Sequence, residues 1–361
     1  MVNALKSRKT ASSGTAKPGR MGLSAFGSRR ASSVDIAALA GRGCLSMPSV
    51  PRIDWSADGD QLLLYSPGDP TGTSRLGVCD VRRKLSVTPV DVHGGLVSAA
   101  RFAAGATRIL VGFAQSVRGF GTLWQLDRRS AAVTQVLGLG AGVAVAAVAL
   151  SPDGRLAAAG TMVGVVYICD LTGRDNPRVL VGHDGPVSAL QFSDDARVMV
   201  TASADGTICL WNTGTGVLIR RLPGHEQPVS SAAFLSQCGE IISSGIDGTI
   251  RLWDAMNGDE VWRAEADPFC VNSVSVAPGG ERAASGGLAG TIIFWDVRLG
   301  RRLIEFTAHA AAVAALGFSP DGRLLASSSY DGTIRLWDVA TVDTAASTVP
   351  GHPGNLARRP G

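Results

Sequence analysis

No uninterrupted apolar run along the chain approaches the ~18 residues of a bilayer-spanning helix, so no membrane span is read from it. Six cysteines occur without a C-x-x-C pair, and several fall inside strand-like runs. That pattern argues against a disulfide framework and fits buried free thiols in a reducing compartment. Lysine is scarce, four residues against 30 arginines. Beside abundant alanine and glycine this is a matter of composition, and it is not read as nucleic-acid binding. No G-x-x-x-x-G-K-[ST] loop is present. GLGAG at 138–142 is a lone glycine loop, and HEQP at 225–228 lacks the second histidine of a zinc protease. Charge is sparse too. Charged residues make up 18% and hydrophobic ones 45%, ample apolar material for a continuous core.

What charge there is divides unevenly. Residues 1–34 hold seven basic residues and no acid, which leaves 27 basic against 30 acidic in the remainder. The overall +4 is therefore a basic tail on a mildly acidic body. With few large apolar residues, the tail is expected to be disordered and solvated. Its Arg- and Ser-rich, acid-free composition also matches an organelle targeting peptide. RRASS at 29–33 resembles a basophilic kinase site, where phosphate on Ser32 or Ser33 would cancel local positive charge. The same cluster would hold a polyanion such as RNA, a membrane surface or tubulin weakly, with steep salt dependence.

The strongest positive signal is repetition. GIDGTIRLWD at 245–254 returns as SYDGTIRLWD at 329–338, eight letters of ten unchanged. Trp211, Trp253, Trp295 and Trp337 follow one another at intervals of 42. One step back lands on Cys169, and two steps of 45 reach Trp124 and Cys79, seven copies in all. Each copy reads as four short runs rich in Val, Ile and Leu, punctuated by Asp-Gly, Asn-Thr-Gly or Pro-Asp-Gly turns. The DG pairs supply the positive backbone angles of two-residue hairpins. A four-stranded sheet of this size cannot bury both faces alone, whereas seven stacked around an axis bury them against their neighbours.

A period of about 40–45 residues with GH and WD markers resembles the WD-repeat β-propeller family over about residues 45–350. The resemblance implies an all-β, seven-bladed propeller of four-stranded antiparallel blades. We expect a tail over 1–34, the propeller over 35–350 and a short flexible end over 351–361. A ring must close, and either 34–45 or the segment after Asp338 is long enough to supply the last outer strand. The expectation leans to an N-terminal clasp.

Three copies carry one further set: His183, Thr201, Asp205 and Trp211; His225, Ser243, Asp247 and Trp253; His309, Ser327, Asp331 and Trp337. Spacing is identical in all three. Serine, histidine and aspartate together invite a nucleophilic-triad reading, but three copies, each tied to a tryptophan, favour a structural one. The resemblance implies a hydrogen-bond relay from Trp through Ser/Thr and His to the hairpin Asp. The sixth copy departs, with Asp267 at the His position and Ala289 at the Asp position. The third has Ala141, Ala159, Val163 and Cys169, and the first two carry insertions. Blades four, five and seven are accordingly expected to be the rigid part. The five histidines lie at or near blade starts, too dispersed to meet at one metal.

The resemblance also implies a partner-binding face just after each GH position and just before each hairpin Asp. The sites that fall there are mostly small or apolar, Ser188 and Ser230 among them, with Ile246, Asn272, Leu288 and Tyr330 the candidates for a hydrophobic partner segment. The expected function is a non-enzymatic protein–protein interaction scaffold within a multiprotein complex, intracellular, cytoplasmic or nuclear, without cofactors. The alternative is a substrate receptor of a cullin-type ubiquitin ligase, implied by WDVR at 295–298, with Arg298 as the adaptor contact and CDVR at 79–82 as an echo.

Overall fold

The computed structural model describes residues 34–35 (backbone), 52–66, 74–82, 86–93, 95–116, 120–173, 175–235 and 239–340. Ser32, Ser33 and the basic tail before Val34 lie outside the described residues, as does the expected C-terminal end over 351–361.

The turn signals do what their chemistry requires. Gly248 follows Asp247 at φ +79°, and a Cβ there would lie 2.3 Å from the Asp267 carbonyl oxygen. Only glycine fits that hairpin, both for its backbone angle and for the chain packed on top of it. Between such turns the strands pair antiparallel in sequence order. The fourth blade is Val187–Phe192, Val198–Ser203, Thr207–Asn212 and Leu218–Pro223. In this blade, as in the fifth and sixth, the second and third strands are almost wholly buried, while the outermost is exposed or half-buried along nearly all its length. A strand covered on both faces by neighbouring blades reads as a continuous apolar run, and an outer strand does not.

Seven four-stranded sheets form. The buried apolar residues fall into seven clusters, each spanning two adjacent blades. One joins Leu62, Leu64 and Cys79 of the first blade to Ala326, Ile334 and Leu336 of the seventh, so the stack is a closed ring. Among the described residues no helix is long and apolar enough to cross a membrane.

Closure is non-covalent. The seventh blade takes its outer strand from the N-terminal side, Val34 opposite Leu336 and Asp35 opposite Arg335. Val34, grouped with the tail on composition, is thus part of the ring. Two side chains of the first blade reinforce the seam: Arg52 donates to the Ala314 carbonyl at 3.0 Å and the Trp55 indole to that of Gly317 at 2.8 Å.

One register expectation is corrected. Trp211 faces Met199 and Trp253 faces Ile241, each opposite the second residue of the neighbouring strand, and Cys79 and Cys169 keep that position opposite Leu62 and Ala157. In the second blade it is Leu126, facing Ile109, that occupies it. Trp124 faces Val111, two residues nearer the hairpin, about 7 Å along the strand. Two residues restore the same sheet face, so Trp124 is still packed inward, edge-on to Phe113 with ring centroids 4.9 Å apart. Among the described residues its indole N–H has no hydrogen-bond partner there.

Candidate functional site

Each of the three tetrads is assembled from four successive pieces of chain. The histidine sits on the connection entering a blade, the hydroxyl on the second strand, the tryptophan on the third, and the aspartate on the hairpin between those strands. In the fourth blade the Trp211 indole donates to Thr201 Oγ1 at 2.9 Å. His183 Nε2 lies 2.7 Å from the same oxygen, and His183 Nδ1 lies 2.9 Å from Asp205 Oδ2. The fifth blade repeats this through Trp253, Ser243, His225 and Asp247, with all three separations at 2.8–2.9 Å. The seventh does so through Trp337, Ser327, His309 and Asp331, at 2.7–3.1 Å.

One proton arrangement satisfies every group in this chain. The indole N–H donates to the hydroxyl, the hydroxyl hydrogen goes to Nε2, and the Nδ1 hydrogen goes to the carboxylate. That requires a neutral imidazole. Burial holds the His183 and His225 pKa values below 6.5, against the opposing pull of the neighbouring aspartates. Burial alone would raise the Asp205 carboxyl. Hydrogen bonds from the Thr207 side chain and from the Asp184 and Thr207 N–H groups outweigh it and bring the value down to about 2. Asp331 is likewise lowered to about 2, burial being overcome by Thr333 and the Ala310 N–H.

The fifth blade adds a guanidinium. Arg251, almost fully buried, donates to Asp247 Oδ2 at 3.1 Å and to Glu260 Oε2 at 2.8 Å. The register-equivalent position in the fourth blade is Cys209.

The sixth blade is latched in reverse. Trp295 donates to Ser285 Oγ at 2.8 Å, as elsewhere. Asp267, at the histidine position, accepts the hairpin N–H of Ala289 at 3.0 Å on one oxygen and the N–H groups of Phe269 and Cys270 on the other. In the tetrads the hairpin carboxylate accepts an N–H of the connection; here a connection carboxylate accepts an N–H of the hairpin. The same cross-link is made from the opposite side, so the sixth blade also carries a side-chain latch between its connection and its hairpin. In the third blade the Ala159 and Cys169 positions are filled by apolar packing.

The candidate partner-binding residues fare unequally. Leu288 and Tyr330 are 48% and 57% exposed on their hairpins, and Ile246 is half-buried. Asn272 is committed within the ring. The first strand of the sixth blade bulges between Val271 and Ser273, and the Asn272 amide donates to the Val313 carbonyl of the next blade at 2.8 Å. Ser188 and Ser230 occupy the matching bulges and donate to Val229 and Val271. A bulge frees one residue from the ladder and re-aims its side chain; here it stitches neighbouring blades. The most exposed of the large apolar side chains on this face is a further residue, outside the expected set. Phe269 is 66% exposed on the turn entering the sixth blade. The corresponding residues are Gly185, Gln227 and Ala311, so an aromatic at that slot was a legible signal.

Arg298 lies at the other end of its blade, 80% exposed, on the turn after Trp295 and 3.8 Å from Glu281. Among the described residues no three His, Cys, Asp or Glu side chains are placed to hold one metal ion.

A family model described as WD domain, G-beta repeat matches residues 175–212, 216–254, 261–296 and 300–338. No curated protein matches the chain.

Proposed function

From the premise that this chain is a WD-repeat β-propeller, we propose that it serves as a non-enzymatic platform for protein–protein interaction within a larger assembly. The observation that carries this is the exposed apolar set Phe269, Leu288 and Tyr330 on hairpins and turns that the latches hold in place. A rigid scaffold presenting apolar side chains to water is the arrangement that a binding partner covers with least loss of conformational freedom. The Ser/Thr–His–Asp sets offer no competing enzymatic reading. Thr201, Ser243 and Ser327 are fully buried, and each hydroxyl already receives a tryptophan N–H. A nucleophile must reach its substrate. Three fully or nearly fully buried free thiols, Cys79, Cys169 and Cys209, suit a reducing, intracellular setting. Trp295 and Val297 of the WDVR motif are buried, which leaves chiefly Arg298 to meet a ubiquitin-ligase adaptor.

Affinity purification with mass spectrometry, using the full chain as bait, tests the reading. A discrete set of partners should be recovered with the native protein and lost on combined Leu288→Asp and Tyr330→Asp substitution, with the melting temperature unchanged. Recovery of no reproducible partner would refute the platform; an undiminished set on the variant would refute the face. Repeating the purification without residues 1–30, which hold all seven basic residues and leave the Val34–Asp35 strand intact, separates partners held by the basic tail.

A further inference from the structure

The chemistry of the partner is written on the rim of blades five to seven. That rim is a relay of hairpins and inter-blade turns, each fastened to the next by backbone hydrogen bonds. The Ala266 N–H donates to the Gly248 carbonyl at 2.9 Å, Leu288 to Cys270 at 3.1 Å, Ala308 to Gly290 at 2.9 Å and Tyr330 to Ala312 at 3.0 Å. Phe269, Leu288 and Tyr330 therefore stand along one continuous ridge rather than on separate mobile loops.

The charge of this ridge has one sign. The stretches 223–228, 245–249, 265–270, 287–291, 307–312 and 329–333 contain no lysine and no arginine. Their acids are not equivalent. Asp247 is matched by Arg251 and its histidine, Asp267 by three backbone N–H groups, and Asp331 by His309 and Thr333. Glu226 and Glu265 are exposed, on either side of the Asp247 hairpin. One cation, Arg302, reaches the Glu265 main-chain carbonyl at 2.6 Å from the outer strand and is paired with Glu305. An approaching acidic segment would thus meet two exposed carboxylates and no lysine or arginine on these turns. A basic one finds both carboxylates.

We propose that this rim docks a short cationic segment of a partner protein. Its apolar side chains settle against Phe269, Leu288 and Tyr330, and its lysines or arginines face Glu226 and Glu265. The aromatic anchors set most of the affinity, and the charges set selectivity and the rate of encounter. This inference rests on the platform reading and gives that platform a partner class.

The test is selection of a random peptide library on the immobilised full chain, followed by fluorescence-anisotropy titration of the enriched peptides. Enriched sequences should place lysine or arginine beside aromatic or aliphatic residues. Their binding should weaken about tenfold or more on Phe269→Ala or Tyr330→Ala, and further at high salt or on Glu226→Lys with Glu265→Lys. These side chains are exposed, and an unchanged melting temperature verifies that each variant keeps the ring. A neutral or acid-rich consensus, or cationic peptides indifferent to these substitutions, would overturn the assignment while leaving the platform standing. Enrichment of no peptide at all would overturn the assignment too, while the platform itself falls only if the affinity purification recovers no partner.

Discussion

Asp247→Ala is the most informative single perturbation of the ring. Five donors converge on this carboxylate. Oδ2 takes His225 Nδ1 at 2.9 Å, the Glu226 N–H at 3.2 Å and Arg251 at 3.1 Å. Oδ1 takes the Thr249 N–H at 3.0 Å and its hydroxyl at 2.8 Å. Truncation leaves the Thr249 and Glu226 groups near solvent, where water replaces the lost acceptor at small cost. His225 and Arg251 are buried and have no such recourse. An orphaned buried donor costs about 1–3 kcal/mol, and a buried charge that loses its only partner about 3–5. Arg251 keeps Glu260 at 2.8 Å, so its share falls toward the lower end, and the total comes to about 3–5 kcal/mol. For a domain of this size that lowers the melting temperature by roughly 5–8 °C. Thermal unfolding followed by circular dichroism reads it directly. Asp205→Ala is the internal control. Cys209 stands where Arg251 would be, so its loss should be smaller, about 2 kcal/mol, and the difference isolates the guanidinium. Equal losses at the two sites would refute the share assigned to the guanidinium, and a change below about 2 °C at Asp247 would refute the relay as a source of stability.

Three further outcomes follow from the same geometry. Asp267→Ala should destabilise the ring by about 1–3 kcal/mol although no histidine is involved; Asp267→His combined with Ala289→Asp, which rebuilds a tetrad on Ser285 and Trp295, should restore the melting temperature. Stability should fall with acid in two stages. The histidine pKa values are depressed by burial below 6.5, so their contribution is complete above that pH and is lost as pH falls through the folded values. The Asp205 and Asp331 contribution, present above 3.8, is lost on the way to about 2. A denaturation midpoint that rises or stays level on acidification below neutrality would contradict this. Burial pushes the Cys79, Cys169 and Cys209 thiols up to about 11. In a thiol-labelling experiment at neutral pH, mapped by mass spectrometry, they should react only on unfolding, after half-buried Cys270; early labelling of Cys169 would place it outside the core.

The sequence alone determined the ring. Hairpin glycines, strand-length apolar runs and a fixed period are local properties, and seven units that cannot bury their faces separately have few ways to pack. The tetrads were legible for the same reason, because Trp, Ser/Thr, His and Asp recur at constant spacing on elements whose register the hairpin sets. Trp124 misled because a tryptophan two residues out of place still points to the same face, and only pairing with Val111 rather than Ile109 reveals the slip. The reversed latch of Asp267 was hidden in another way: its acceptor role depends on the backbone N–H of Ala289, which has no letter in the sequence. Asn272 turned inward and Phe269 outward on the same logic. A bulge and a neighbouring carbonyl decide where a side chain goes, and these exist only once blades stand side by side. Tertiary structure thus decided which candidate residues face water, because exposure belongs to the packed neighbours as much as to the residue itself.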